Sequence, residues 1–160
     1  MRNKHIVIMT GNIGSGKSTL VNFYIEDNYS CVCRDGLRYM LGNGQYKFER
    51  IKEPVIWKTE KFMIEEFMKA EMNVVVDEVG VSKQLRKPYV ELAKKYGYTI
   101  TAIVMPKLTK KESVDRRMKN PHGQPNRKLW EEVWTKFNRI YTEPSKKEGF
   151  NEIIHIRRHL

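Results

Sequence analysis

Cysteine is scarce in this sequence, long apolar runs are missing, and each shortage excludes a class of protein. Two cysteines among 160 residues are too few for a disulfide-stapled fold, and no Cys/His cluster completes a zinc site. No apolar run approaches the roughly 20 residues that a membrane-spanning helix needs. The first strand is expected near residue 4, which leaves no room for a signal peptide. These shortages favour a cytoplasmic globular protein.

Positive charge, by contrast, is abundant. Lys and Arg number 30 against 19 Asp and Glu, which gives a net charge of +11. Such a surface attracts a polyanion such as nucleic acid by steering and counterion release, although a basic surface of no specific use has the same composition. The length and the absence of repeats or linkers predict a single domain over residues 1–160.

Strand and helix signals alternate along the chain, which predicts an α/β fold with a parallel sheet. Strands are expected over residues 4–10, 30–34, 73–77 and 98–105, with a possible fifth over 151–156. Helices are expected over residues 16–27, 35–41, from about 54 onward, 82–96, 109–119 and 126–142. Pro88 predicts a kink or a late start in the fourth helix. Apolar residues predict the buried face of the third helix: Val55, Phe62, Met63, Phe67 and Ala70.

A phosphate-binding loop follows the first strand. Residues 11–19 match the pattern G-x-x-x-x-G-K-[ST] between an apolar strand and a helix, where backbone N–H groups cradle phosphates. Lys17 is predicted to reach the β- and γ-phosphates of ATP, and Ser18 to take a place on Mg²⁺. The predicted nucleotide-binding residues are Gly11, Asn12, Ile13, Gly14, Ser15, Gly16, Lys17, Ser18 and Thr19.

Two acidic elements are expected at the same sheet edge. Asp35 and Arg38 follow the second strand and share a helix face, a combination that suits an acceptor with a hydroxyl beside a phosphodiester. The alternative is that Asp35 only caps the short helix. Asp77 follows the third strand and is predicted to help hold Mg²⁺. The next residue, Glu78, either joins the site or is an exposed loop carboxylate.

A basic segment over residues 107–126, here called the lid, follows the fourth strand. Arg116 or Arg117 is predicted to close over the triphosphate, the alternative being a solvated helix face. The four histidines form no visible constellation and are assigned no role. Large aromatic residues at helical spacing are expected in the core: Trp57, Trp130, Trp134 and Tyr141.

The order of these motifs resembles the kinase domain of phage polynucleotide 5′-hydroxyl kinases, within the P-loop kinase group that includes adenylate kinase. The resemblance covers residues 4–142 and rests on the loop at 11–19, Arg34-Asp35-x-x-Arg38, the strand ending at Asp77, Ala93-Lys-x-Tyr-Gly97 and the basic lid. It implies a three-layer fold with a parallel sheet of four or five strands and a helical lid. It also implies that Asp35 is the general base, that Arg38 holds the neighbouring phosphate and that a lid arginine contacts ATP.

The sequence thus predicts an ATP-dependent kinase acting on a nucleic-acid hydroxyl, most directly the 5′-OH end of DNA or RNA. One alternative is a phage enzyme that phosphorylates 5-hydroxymethyluracil within DNA. Two further alternatives are a kinase of nucleotides or other small metabolites, which does not explain the +11 charge, and a non-catalytic, nucleotide-regulated DNA-binding module.

Overall fold

The computed structural model describes residues 4–158, so Met1–Asn3 and His159–Leu160 of the predicted single domain lie outside the described residues. The strands are β1 (His5–Thr10), β2 (Ser30–Val32), β3 (Val74–Val76), β4 (Thr99–Val104) and β5 (Glu152–His155). The helices are α1 (Lys17–Glu26), α2 (Arg34–Leu41), α3 (Glu53–Lys69), α4 (Lys83–Tyr96), α5 (Lys110–Lys119) and α6 (Arg127–Arg139). No helix formed by residues 4–158 is long and apolar enough to cross a membrane.

All five strands are parallel and lie in the order β2-β3-β1-β4-β5. Successive strand residues point to opposite faces, so each strand contributes to two cores. On one face Ile6 and Ile8 pack with Ile64 of α3 and Leu92 of α4, and on the other Val7 packs with α1. The predicted α/β three-layer fold, including the fifth strand, is confirmed.

Helix α4 begins before Pro88 and continues through it. Ser82 caps it by accepting a hydrogen bond from the backbone N–H of Leu85 at 3.3 Å, and the helix runs from Lys83 through Pro88 to Tyr96. The predicted late start is wrong because the Ser82 cap fixes the first turn. Gly97 ends the helix in the left-handed conformation, as its position predicts.

The buried face of α3 also differs from the prediction. A stripe four residues apart is buried, formed by Ile56, Glu60, Ile64 and Met68. Val55 and Phe62 are instead more than half exposed, at 61 % each. Trp57 is 40 % exposed, so the expectation that it lies in the core is wrong, whereas Trp130 is buried. A charged residue in the buried stripe hides this face from a search for apolar periodicity.

A buried arginine of α4 holds the segment that precedes β5. Arg86 of α4 is fully buried and pairs through two nitrogens with both carboxylate oxygens of Glu148, at 2.7 and 3.0 Å. It also donates to the backbone carbonyls of Gly80 and Thr142, each at 2.9 Å. These contacts hold the segment that leads into β5 against α4.

Candidate functional site

Four loops meet at the carboxyl edge of the sheet, which is where ligands bind in open α/β sheets. The phosphate-binding loop follows β1, α2 follows β2, and Asp77 follows β3. Since β3 lies between β1 and β2, Asp77 stands between the loop and helix α2. The lid follows β4 on the other side of the loop. The sheet order therefore brings the predicted residues to one place.

The loop over residues 11–16 has the conformation that a phosphate cradle requires. Gly14 and Gly16 have φ of 65° and 95°, in the left-handed region that favours glycine. A Cβ on Gly14 would lie 2.4 Å from the carbonyl oxygen of Ser113, so α5 abuts the loop here. Lys17 Nζ donates to the carbonyls of Gly11 and Asn12, both at 2.9 Å. Its ammonium group is thus held at the mouth of the loop.

Burial lowers the pKa of Lys17 to about 8, although the charge of Asp77 opposes the shift. Bringing phosphate oxygens beside the ammonium group would favour its charged form. An anionic ligand that binds beside Lys17 would therefore increase the fraction of this lysine that is protonated.

Ser18 and Asp77 face each other, as the metal prediction requires. Ser18 Oγ donates to Asp77 Oδ2 at 2.8 Å. Over residues 4–158 there is no cluster of three or more His, Cys, Asp or Glu side chains that could hold a metal. One hydroxyl and one carboxylate fit Mg²⁺, because this ion is usually held by one or two carboxylates together with substrate phosphates and water.

The tip of the phosphate-binding loop is buried in the lid. Ile13 is 4 % exposed and packs with Val114 of α5 and Trp130 of α6. The neighbouring Asn12 donates from Nδ2 to the backbone carbonyl of Trp134 at 3.0 Å. The loop and the two lid-side helices therefore share one hydrophobic cluster.

Asp35 and Arg38 form an ion pair at the start of α2. Arg38 Nη1 donates to Asp35 Oδ1 at 2.6 Å, and its Nε and Nη2 donate to both oxygens of Glu53 at 2.9 and 2.6 Å. These bonds use three of the five N–H donors of the guanidinium, so two are left for an incoming phosphate. The sequence missed Glu53 because it lies 15 residues from Arg38 in a separate helix.

The capping alternative for Asp35 is wrong. Cys33 occupies the N-cap position of α2, and Asp35 lies inside the first turn. Its Oδ1 accepts from Arg38 and from the hydroxyl of Tyr46, the latter at 3.0 Å. The Asp35 side chain is 38 % exposed, so it is open to a ligand at the sheet edge. Two donors thus orient the carboxylate, and it does not cap the helix.

A lid histidine reaches the same carboxylate, although the motifs along the chain assigned it no role. His122 Nε2 lies 3.7 Å from Asp35 Oδ2, and its Nδ1 hydrogen-bonds the Tyr39 hydroxyl at 2.8 Å. The imidazole also stacks on the Tyr46 ring, with centroids 5.0 Å apart. His122 has a φ of 49°, an uncommon conformation for a residue with a side chain. These contacts bring the lid over the acceptor side of the site.

The two lid arginines differ in their placement. Arg116 is exposed, whereas Arg117 is half-buried with its guanidinium 5.0 Å from the Trp130 ring centroid. Among the described residues, the buried Nε of Arg117 has no hydrogen-bond partner. Burial lowers the pKa of Arg117, and Asp35 is the first of the charges that oppose the shift. A buried N–H without a partner beside the phosphate-binding loop is suited to an anionic ligand.

Glu78 is neither an exposed loop carboxylate nor a group free to act on water. It is 8 % exposed, and its two oxygens accept from the backbone N–H of Arg34, at 2.6 Å, and from the Arg34 guanidinium. Arg34 Nε also lies 3.6 Å from Glu60 Oε2, and the Tyr89 hydroxyl donates to Glu60 Oε1 at 2.9 Å. This buried network fixes the first residue of α2 and so positions Asp35.

The buried network makes stability depend on pH. Burial, together with the neighbouring charge of Glu78, raises the pKa of Glu60 to about 7. The folded state therefore keeps a proton that the unfolded chain releases, and the resulting stabilisation is lost as the pH rises toward 7. Glu60→Gln mimics the protonated form. The unfolding free energy of this variant relative to the natural protein should increase by about 2 kcal/mol between pH 5 and pH 8.

Urea unfolding at the two pH values measures this difference. Glu66→Gln is the matched control, since Glu66 is an exposed carboxylate on the same helix that pairs with Lys69. It should leave the pH dependence unchanged. An equal effect of Glu60→Gln at pH 5 and pH 8 would contradict the assignment of a proton to this network.

A cavity of about 210 Å³ opens beside the phosphate-binding loop. Its walls come from the loop, from the segment after β4 and from α6 and the residues that follow it. They include Asn12, Pro106, Leu108, Trp134 and Tyr141. The sequence did not indicate this cavity, because its walls come from three segments far apart along the chain.

Fold and site together define the class: this is a P-loop kinase domain. The family model AAA_33, described as an AAA domain, matches residues 6–144, so the chain belongs to that family. A human protein, NEDD4-binding protein 2, is 33 % identical over 97 residues, which are 59 % of this chain and 5 % of that protein. The chain thus spans about one twentieth of this curated relative.

Solved structures share the fold. A chain in the structure of the Pnkp1/Rnl/Hen1 complex is 26 % identical with a TM-score of 0.61, over 72 % of this chain and 40 % of its own. A chain in the Pnkp1/Rnl/Hen1 RNA repair complex is 23 % identical with a TM-score of 0.69, over 94 % and 47 %. A fungal RNA kinase is 16 % identical with a TM-score of 0.61, over 99 % and 77 %. The two latter likenesses concern the fold alone.

Proposed function

We propose that this protein transfers the γ-phosphate of ATP to a hydroxyl of a nucleic acid, most directly the 5′-OH end of DNA or RNA. One observation carries the proposal: Asp35 and Arg38, oriented by Glu53 and Tyr46, lie at the same sheet edge as the phosphate-binding loop. A carboxylate accepts a hydroxyl proton, and a guanidinium fork grips the phosphate next to that hydroxyl.

The transfer follows from this placement. The loop backbone and Lys17 hold the β- and γ-phosphates, while Asp35 Oδ2 takes the proton of the acceptor hydroxyl. The hydroxyl oxygen then bonds to the γ-phosphorus, the bond from that phosphorus to the β–γ bridging oxygen breaks, and ADP leaves. Mg²⁺, held by Ser18 and Asp77 together with phosphates and water, would supply charge neutralisation. Most of the rate enhancement comes from positioning and from fixed charge.

The lid supplies the remaining charge. Arg117 is the better-placed lid arginine, because its buried Nε lacks a partner among the described residues and its surroundings include the charges of Asp35 and Asp77. Arg116 is exposed, so it is the less well placed of the two arginines for contact with the triphosphate. The cavity beside the loop, lined by Trp134 and Tyr141, is proposed to take the base of the nucleotide.

A polymeric acceptor is supported by charge and by likeness. The net charge of +11 exceeds what a small-molecule kinase needs for solubility. One of the structural likenesses, at 26 % identity, is to a chain in a complex that contains Pnkp1. Both considerations favour a nucleic acid over a metabolite as the acceptor.

A panel of acceptors tests the proposal. The protein is incubated with γ-labelled ATP and, separately, with 5′-OH DNA, 5′-OH RNA, a closed circular duplex containing 5-hydroxymethyluracil, and free nucleosides. Label on the linear 5′-OH strands is the expected result. Label only on the circular duplex or only on nucleosides would replace the proposed acceptor. Release of phosphate without any labelled acceptor would refute phosphoryl transfer to these hydroxyls.

Arg38→Ala should weaken acceptor binding much more than ATP binding. A charge-assisted hydrogen bond is worth about 1.5–3 kcal/mol, so the acceptor KM should rise roughly tenfold to hundredfold. The ATP KM should stay within about twofold, because Lys17 and the loop remain intact. Arg139→Ala, at an exposed arginine in the last turn of α6, is the matched control. Equal changes in the two KM values would rule out the clamp.

A further inference from the structure

We infer that Phe48 and Trp57 form a stacking platform for the first bases of a single-stranded acceptor, beside Asp35 and Arg38. The inference rests on the proposed function and names the form of nucleic acid that the site takes. It starts from two aromatic rings that each lie over an arginine of α2. Both rings are also open to solvent.

The contacts fix where the rings lie. The guanidinium of Arg38 is 5.3 Å from the centroid of Phe48, and that of Arg34 is 3.5 Å from the centroid of Trp57. Arg34 and Arg38 are four residues apart in α2, which is about one turn or roughly 6 Å along the helix. The two aromatic rings therefore flank the acceptor helix on the side of the clamp.

Exposure leaves each ring free to meet a ligand. Phe48 is 54 % exposed and Trp57 is 40 % exposed, although both arginines are buried. Each ring covers a buried arginine on one side and remains open to solvent on the other. A phosphate gripped by Arg38 would place the attached nucleotide within reach of the Phe48 ring.

Charge around the rings selects the occupant. Between residues 45 and 62, each acidic side chain is already paired: Glu49 with Lys52, Glu53 with Arg38, and the buried Glu60 with Arg34. Exposed cations in this segment have no ion-pair partner among the described residues, namely Lys47, Arg50, Lys58 and Lys61. Apolar rings interleaved with unpaired cations suit a chain that carries bases and phosphates.

The platform selects single strands. A base offers its face to a protein ring only when it is not stacked inside a duplex, whereas every unpaired base has a π-face to offer. The acceptor is therefore a single-stranded end, or a duplex end with an unpaired 5′ extension, and its sequence matters little.

Two substitutions test the platform without uncovering the buried arginines. Phe48→Leu combined with Trp57→Leu keeps an apolar cover but removes both aromatic faces. Base stacking is worth about 1–3 kcal/mol per base, so the KM for a ten-residue 5′-OH oligothymidylate should rise at least about tenfold. The KM for 1,2-dideoxyribose 3-phosphate, which offers the clamp a phosphate and a 5-hydroxyl but no base, should change less than about twofold.

Two comparisons make the result decisive. Phe62→Leu is the matched control, because Phe62 is an aromatic residue of α3 that is 61 % exposed, yet no arginine within residues 4–158 is placed over its ring. An oligonucleotide that lacks its first two bases should serve the natural protein as poorly as the intact oligonucleotide serves the double variant. An unchanged KM for the oligonucleotide in the double variant would overturn the platform. The platform would also be overturned if the natural protein self-associates and the double variant does not, because this surface would then be a protein interface. Failure of the natural protein to label any acceptor would instead refute the proposed function.

Discussion

Asp35→Asn should lower kcat for phosphoryl transfer by about 10²- to 10⁴-fold, which is the usual contribution of a positioned general base. Asparagine keeps an oxygen that can accept from Arg38 and Tyr46, so the local geometry should survive. What it loses is the capacity to take the proton of the acceptor hydroxyl. The measurement is single-turnover transfer of labelled phosphate at saturating ATP and acceptor.

Two controls separate lost chemistry from lost structure. The affinity of Asp35→Asn for ATP should remain within about twofold of the natural value, since the carboxylate does not belong to the phosphate-binding loop. Asp27→Asn, at an exposed carboxylate that ends α1, should leave kcat unchanged. A kcat for Asp35→Asn within threefold of the natural value, a margin roughly as small as measurement scatter, would remove Asp35 from the chemistry.

Arg86→Met should have the largest effect on stability. Removing one partner of a buried ion pair costs about 3–5 kcal/mol, because Glu148 would be left buried and unpaired. The backbone carbonyls of Gly80 and Thr142 would lose their donor as well. Since whole domains are stable by only about 5–15 kcal/mol, urea unfolding should show a large fall in the midpoint.

Partner substitutions make this result interpretable. Adding Glu148→Gln to Arg86→Met removes the stranded charge and should recover part of the loss. The single variant Glu148→Gln should lower the midpoint less than Arg86→Met does. It can be measured in place of Arg86→Met if that variant does not fold. Lys95→Met changes an exposed lysine of α4 that pairs with Glu65 of α3, and it should leave the midpoint unchanged. A midpoint for Arg86→Met equal to that of Lys95→Met would show that the buried pair is not an anchor.

The contiguous motifs were readable from the sequence because their chemistry depends on local spacing. Residues 11–18 need only a strand before them and a helix after them, and Asp77 needs only to end a buried strand. The parallel topology then brings both to one edge without further information. The same logic placed Asp35 and Arg38 on one face of α2.

The supporting residues were not readable, since their partners lie far along the chain. Glu53 meets Arg38 only because α3 packs on α2, and His122 meets Asp35 only because the lid crosses the acceptor helix. Glu60 interrupts an otherwise apolar stripe, so it diverted the prediction of the buried face of α3 toward Val55 and Phe62. Polar residues that are buried for the sake of a site contradict the pattern that sequence reading uses.

The packing of Ile13 against α5 and α6 limits which segments can move during turnover, and how fast. Helices that share a core with the nucleotide loop cannot swing away from it without exposing that core to water. Motion during turnover is then confined to the connection at residues 120–126, where His122 and Gly123 are both left-handed. Loops of this size move in nanoseconds to microseconds, whereas collective hinge motions take about microseconds to milliseconds. We therefore expect ADP release to depend on a fast movement of this short loop and not on a slow hinge motion of whole helices.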